Sequence, residues 1–240
     1  MKIVEKMHAK AKNLTGESPV AIAFLGDSVT QGCFDIYPTS PTGLQTTFDA
    51  ENGYHTKLRK MLNTFFPSVP INIINGGISG GGAPEGLARI ERDVLRFSPD
   101  LCVVCFGLND CCRGDIEAYR SSMTAIFDRL IKENIEVILL TPNMMCTDVS
   151  CHINFELARD TAKMVAEKQN GGVLEEYLEA AKAEAKKRNI PICDCYAIWK
   201  KLYESGVVIN DLLSNYINHP TADMNNIFAW SLVQTMFEMK

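Results

Sequence analysis

An open α/β/α sandwich built on a five-stranded parallel sheet is the fold class this chain predicts, and three features of the sequence predict it. Five apolar runs of strand length recur along the 240 residues. They are nearly continuous in Val, Ile, Leu and Cys, as strands covered on both faces require. Amphipathic helical patterns lie between them, and alternation of this regularity winds into a parallel sheet with right-handed crossovers.

The elements follow in order. A charged, helix-like segment, "MKIVEKMHAKAKNL", precedes the first strand, "VAIAFL" at 20–25. Residues 33–51, "CFDIYPTSPTGLQTTFDAE", are rich in Pro, Thr and Gly and read as a long loop. A helix over roughly 52–65 leads to the second strand, "INIIN" at 71–75, and a helix over 84–97 leads to the third, "LCVVCF" at 101–106. Ile116, Tyr119, Met123, Ile126, Phe127, Leu130 and Ile131 then form one helical stripe, with Asp115 placed to cap it. The fourth strand is "EVILLT" at 136–141. Residues 144–171 form a second insertion, part polar loop and part helix, and Leu174, Tyr177, Leu178, Ala181 and Ala185 mark the next helix. "PICDCY" at 191–196 supplies the fifth strand, and a helix over 223–238 closes the chain. No repeat or linker interrupts this order. Residues 1–240 therefore read as a single domain with insertions at about 33–51 and 144–171, and long loops in a compact domain border functional sites.

Bulk properties narrow the function. With 46% hydrophobic and 22% charged residues the composition is that of a globular protein, and a net charge of −5 argues against nucleic acid or an anionic membrane as partner. No apolar run reaches the roughly 20 residues of a membrane span. The charged N-terminus has no hydrophobic core of a signal peptide, so a cytoplasmic location is expected. Nine cysteines carry no metal-site spacing. Cys102 and Cys105 fall on opposite strand faces, and Cys193 and Cys195 read as sharing one. Reduced, mostly buried thiols are expected, with no metal and no cofactor.

In such a fold, ligands bind outside the carboxyl ends of the strands. Gly26-Asp27-Ser28 follows the first strand, "NGGISGGG" (75–82) the second, and Gly107-Leu108-Asn109-Asp110 the third, while "NHP" with His219 stands before the closing helix. A serine, a glycine backbone, an asparagine and a histidine on one edge are what acyl transfer needs: a nucleophile, a base, and donors for the oxyanion. Ser28 is the candidate nucleophile, and its own N–H, that of Gly77 and the Asn109 side chain are candidate donors. His219 is the candidate base by elimination. His8 lies on the N-terminal segment and His55 within a helix, both read as surface or structural groups; His152, beside Cys151 in the second insertion, is a candidate substrate contact.

"GDSVTQG", "NGGISG", "GLND" and the terminal His-Pro resemble, in order and spacing, the four signature blocks of the SGNH (GDSL) hydrolases, over Gly26 to His219. The resemblance implies a flavodoxin-like fold and metal-free ester hydrolysis through an acyl-serine, with Ser28 as nucleophile, Ser28, Gly77 and Asn109 as oxyanion hole, and His219 as base. It also exposes a departure. The family usually places an aspartate three residues before the histidine, and here that position is Tyr216. Asp211, Asn215, Asn218 or a backbone carbonyl are the candidate substitutes, with a Ser-His dyad as the other alternative, and the expectation is that the third member is absent from its usual place. The substrate expected is a small or medium acyl ester, whether an acetylated carbohydrate or a short lipid ester, with Phe34, Tyr37 and Phe48 offering apolar contact.

Rivals remain at this level. "GISGG" (77–81) matches the GxSxG elbow and makes Ser79 a competing nucleophile, although it would leave "GDS" and "GLND" without roles. The glycine-rich turn could cradle a phosphate in a flavodoxin-like binding module, although it fits neither GxGxxG nor GxxxxGK[ST]. A catalytically weakened relative is the third alternative. Asp27 and Asp110 read as loop-bracing carboxylates.

Overall fold

The computed structural model describes residues 1–40 and 43–239. Seven strands and ten α-helices are found among them. Helix α1 (Lys2–Lys12) leads into β1 (Val20–Gly26), whose residues are almost all buried. A four-residue helix, α2 (Ser28–Gln31), follows at once, and then β2 (Cys33–Ser40) and β3 (Gly43–Phe48). Helix α3 (Tyr54–Phe65), β4 (Ile71–Gly77), α4 (Ala83–Asp93) and β5 (Leu101–Cys105) complete the first half. Two helices, α5 (Leu108–Arg113) and α6 (Ile116–Lys132), precede β6 (Glu136–Leu140). Beyond the loop at 141–155 come α7 (Glu156–Asn170), α8 (Val173–Lys187), β7 (Ile192–Cys193), α9 (Cys195–Glu204) and α10 (Asn225–Met236).

Five strands form the main sheet in the order β4-β1-β5-β6-β7, with every pairing parallel. Counted within the sheet this is 2-1-3-4-5, the flavodoxin-like order, whose topological switch point falls beside β1. Helix α3 packs on α10, while α4, α6 and α8 pack in a row, giving the three-layer sandwich. Apolar strand residues such as Ile22, Phe24, Val103 and Ile138 are fully buried between the layers. The register places Gly26 beside both Gly77 and Cys105. The loops leaving β1, β4 and β5 therefore start from one row, which is what assembles the site.

Three readings of the sequence change. Residues 33–40 and 43–48 are not a loop but an antiparallel ribbon, β2–β3, in which Tyr37 pairs with Gln45 and Pro38 with Leu44. Its Ile, Tyr, Phe and Thr residues suit strands, and a two-stranded ribbon tolerates Pro38 because an edge position forfeits no ladder bond. The fifth sheet strand shrinks to two residues, since Asp194 accepts the Ala197 N–H and starts α9 at Cys195. Cys195 thus opens a helix and shares no strand face with Cys193. All nine cysteines are free thiols, and all but Cys112 and Cys151 are buried.

Candidate active site

The turn after β1 is built to present Ser28. The Asp27 carboxylate accepts the Val29 N–H at 3.0 Å and caps α2, and Gly32 ends it in the left-handed region at φ 93. As first residue of that helix, Ser28 has an N–H with no intrahelical acceptor. Gly26 must be glycine, because a Cβ there would lie 2.0 Å from Thr30 Oγ1. Below the turn, Thr30 Oγ1 meets the Tyr54 hydroxyl at 2.8 Å, and Arg89 donates to the carbonyls of Gly26, at 2.7 Å, and Gly76.

His219 reaches this turn from the far end of the chain. Its Nε2 lies 3.0 Å from Ser28 Oγ, and its Nδ1 lies 2.7 Å from the backbone oxygen of Phe34. A carbonyl oxygen can only accept, so Nδ1 carries the proton and Nε2 offers its lone pair to the serine hydroxyl. Both residues are buried, Ser28 to 3% and His219 to 5% exposure. Burial pushes the His219 pKa down to about 4, against the smaller upward pulls of the Phe34 carbonyl and the Asp35 carboxylate. The imidazole is thus neutral around pH 7, the state in which it can take a proton.

The Phe34 carbonyl is available because the ribbon breaks register between Cys33 and Ile36. In that interval the Asp35 N–H turns to the Thr47 hydroxyl, at 2.9 Å, instead of a ladder carbonyl. Bulges of this kind re-aim groups beside sites. Tyr216, Asp211, Asn215 and Asn218 do not meet the imidazole. Asn215 instead folds the histidine's loop: its Oδ1 accepts the N–H groups of Ile217 (3.0 Å), Asn218 (2.9 Å) and His219 (3.0 Å). Asn218 accepts from Asn215 Nδ2 at 2.9 Å, and Asn143 Nδ2 donates to the Asn218 carbonyl at 2.9 Å. An antiparallel bridge between Leu213 and Pro220 closes the loop. An asparagine nucleating a turn has a recognisable chemistry, and "SNYINHP" carried that signal. Asn143, on another loop, carried none.

The N–H groups of the glycine-rich turn after β4 are mostly engaged within the protein. The Gly77 N–H is donated to Asn75 Oδ1 at 3.0 Å, and a Cβ on Gly77 would lie 2.2 Å from the Gln31 nitrogen. Gly77 is a close-approach glycine that lets β4 pass under α2; its N–H is spent. Along the same turn Ile78 N–H goes to the Gly26 carbonyl, Ser79 N–H to Gln31 Oε1, Gly81 N–H to the Ile78 carbonyl and Gly82 N–H to Glu85 Oε2. That accounting leaves the N–H of Gly80, at φ 74, without an acceptor among the described residues. Asn109 donates one Nδ2 hydrogen to the Gly81 carbonyl at 2.9 Å, and an amide nitrogen carries a second.

Asp110 braces the neighbouring turns by accepting Ala83 N–H at 2.8 Å and Gly107 N–H at 3.1 Å. Burial pushes the Asp27 carboxyl up to about 7, with the charge of Asp110 adding to it. Ser79 is exposed, and its hydroxyl faces Cys33, a thiol raised by burial; no imidazole stands beside it. His55 is buried against Asn75 and Thr56, a structural group whose pKa burial lowers to about 4. Phe34 is nearly buried, whereas Tyr37 and Phe48 lie exposed on the ribbon. His152 stacks on Tyr216. Among the described residues no helix is long and apolar enough to cross a membrane.

A parallel sheet with a hydrogen-bonded serine and histidine at its carboxyl edge defines a hydrolase-like α/β arrangement. The model of the GDSL-like Lipase/Acylhydrolase family matches residues 24–227, and the chain belongs to that family. An acetylxylan esterase of Geobacillus stearothermophilus is 32% identical over 89 residues, which span 37% of this chain and 39% of that protein, so the match covers about two-fifths of the relative. Among solved structures, a mutant of Axe2, an acetyl-xylooligosaccharide esterase from the same organism, superposes with a TM-score of 0.69 at 19% identity, covering 91% of this chain and 94% of that one. An esterase active on acetylated mannans, of two domains, gives 0.66 at 20% identity, over 99% of this chain and 53% of that one. At these identities the structural likeness speaks for the fold.

Proposed function

We propose that the chain is a serine esterase that removes small acyl groups, acetyl foremost, from carbohydrate esters. The observation that carries this reading is the hydrogen-bonded series Ser28 Oγ, His219 Nε2, His219 Nδ1 and Phe34 O at the carboxyl edge of the sheet. In the first half-reaction the Ser28 oxygen attacks the ester carbonyl while Nε2 takes its proton. The carbonyl oxygen becomes negative and is met by the N–H groups of Ser28 and Gly80 and by Asn109 Nδ2. Collapse returns the proton from Nε2 to the leaving alcohol oxygen and leaves an acyl-Ser28 ester. Water then attacks that ester, giving its proton to Nε2, and the second collapse restores Ser28 and releases the carboxylic acid. Phe34 holds the imidazole tautomer but, being neutral, does not offset its charge. The carbohydrate assignment draws on the relatives, which act on acetylated xylan, xylo-oligosaccharides and mannans.

The phosphate-binding alternative loses support from the 77–82 turn. A cradle needs several free N–H groups, and five of the six there are already donated.

Labelling with a fluorophosphonate tests the reading. The unmodified protein and Ser79→Ala should label at Ser28, and Ser28→Ala should not; label on Ser79, or none on the unmodified protein, would overturn it. An ester panel graded by acyl length and alcohol type then tests the preference for acetylated sugars.

A further inference from the structure

Tyr216 stands where the family pattern has its aspartate, and its ring is turned elsewhere. Its backbone is left-handed at φ 57, a conformation that costs a residue with a Cβ about 1 kcal/mol or more and persists where surroundings demand it. The ring stacks on His152, with centroids 5.1 Å apart and planes 26° apart. The two residues come from different loops, 213–220 and 141–155. With Asp35, Asn154, Phe155 and Ser214 they line a cavity of about 150 Å³. Its walls are the supports of the histidine: Asp35 follows the residue that holds Nδ1, and Ser214 N–H donates to the His219 carbonyl at 2.7 Å. Ser214 Oγ also donates to Asp35 Oδ1 at 3.0 Å, leaving most of that carboxylate's lone pairs open to another donor.

A cavity lined by a stacked aromatic pair, a carboxylate and an amide suits one ligand chemistry, a neutral ring with apolar C–H faces and hydroxyl edges. We propose that this cavity is the alcohol-side subsite of the enzyme and seats a sugar ring of the ester, the Tyr216–His152 pair forming its stacking wall and Asp35 accepting a sugar hydroxyl. The assignment rests on the esterase reading above. It also explains why an aromatic residue is held in a left-handed conformation at a position free of duty to the imidazole.

The test compares kcat/KM on an acetylated methyl xyloside with kcat/KM on p-nitrophenyl acetate, which has no sugar. Tyr216→Gly relieves the left-handed backbone while deleting the ring, so the fold is expected to survive; thermal denaturation verifies it. In Tyr216→Gly, His152→Ala and Asp35→Asn the ratio of sugar ester to p-nitrophenyl acetate should fall about tenfold, chiefly through KM. Tyr216→Phe should restore the ratio towards that of the unmodified protein. An unmoved ratio in Tyr216→Gly and His152→Ala overturns the subsite. So does an equal loss on both esters through kcat, which would make Tyr216 a support of His219. A changed preference among acyl lengths with the sugar ratio intact would assign the cavity to the acyl group instead and overturn the proposal. Lack of p-nitrophenyl acetate turnover by the unmodified protein would overturn the esterase reading itself, and the subsite with it.

Discussion

The two sides of the His219 ring are built by different means. On the Nε2 side stand groups delivered by the ends of β1, β4 and β5, strands whose register puts Gly26, Gly77 and Cys105 in one row. On the Nδ1 side stand an irregular ribbon and a loop folded around one asparagine, and the atom that meets the ring is a main-chain oxygen. The first side is fixed by sheet topology and needs particular side chains. Towards the ring the second has only to hold a tautomer, and a carbonyl from any residue serves. On the proposed reading, chemistry is concentrated on one side of the imidazole and orientation on the other.

If that division is right, substitutions on the Nε2 side should cost far more than those on the Nδ1 side. Ser28→Ala and His219→Ala should each lower kcat on p-nitrophenyl acetate by about 10⁴-fold or more, each alone costing nearly as much as both together. Steady-state rates with active-site titration check this; strictly additive losses would mean the two residues do not act as a unit. Asn109→Ala should follow, with about 10²–10³ lost from kcat and little change in KM, as when one oxyanion donor is removed. A change confined to KM would move Asn109 from transition-state stabilisation to ground-state binding. On the other side, Asn215→Ala strips a shared acceptor from three N–H groups and should cost about 1–3 kcal/mol in urea denaturation. Its kcat should fall by about 10–100-fold, since the ring is displaced but no reacting group is lost.

How much of this was legible in the sequence follows the same division. The strands β1, β4, β5 and β6 announce themselves as continuous apolar runs, and the loops after them carry Ser28, the glycine turn and Asn109. The motif glycines were harder. "NGGISGGG" shows that a turn needs close approach, but not which N–H is left free; only the full accounting of donors separates Gly77, which packs on α2, from Gly80. The ribbon β2–β3 was hidden because Pro38 and Gly43 suggest a loop, and its strand character depends on pairing between two segments. The partner of Nδ1 could not be named, because a carbonyl has no side chain to read. Asp194 was visible as a helix cap only after β7 proved two residues long.

The finest test of the division is the pH dependence, where the effect is a displaced limb and not a lost rate. A carboxylate on Nδ1 would hold the imidazolium charge and raise the pKa; the Phe34 carbonyl is neutral, and burial carries His219 down to about 4. The base works in its neutral form, so kcat/KM should stay level as pH falls from 8 to 5, where such a group is still about nine-tenths neutral, and drop only near pH 4. Stability follows with a definite sign. The folded pKa lies below the ordinary value of about 6.5, so between 4 and 6.5 the unfolded chain binds a proton that the native His219 does not. Its contribution is present above pH 6.5 and is lost as pH falls towards 4, and His55, held at about 4 by burial, acts the same way. Asp27 opposes them, since its raised pKa of about 7 lets the native state hold a proton from about pH 4 to 7. Replacing it, as Asp27→Asn, should therefore steepen the rise of Tm with pH in that interval. An acid limb of kcat/KM centred near 6.5 would show that a carboxylate does reach the imidazolium during catalysis, with Asp35, whose charge already acts on His219, the residue to test by Asp35→Asn.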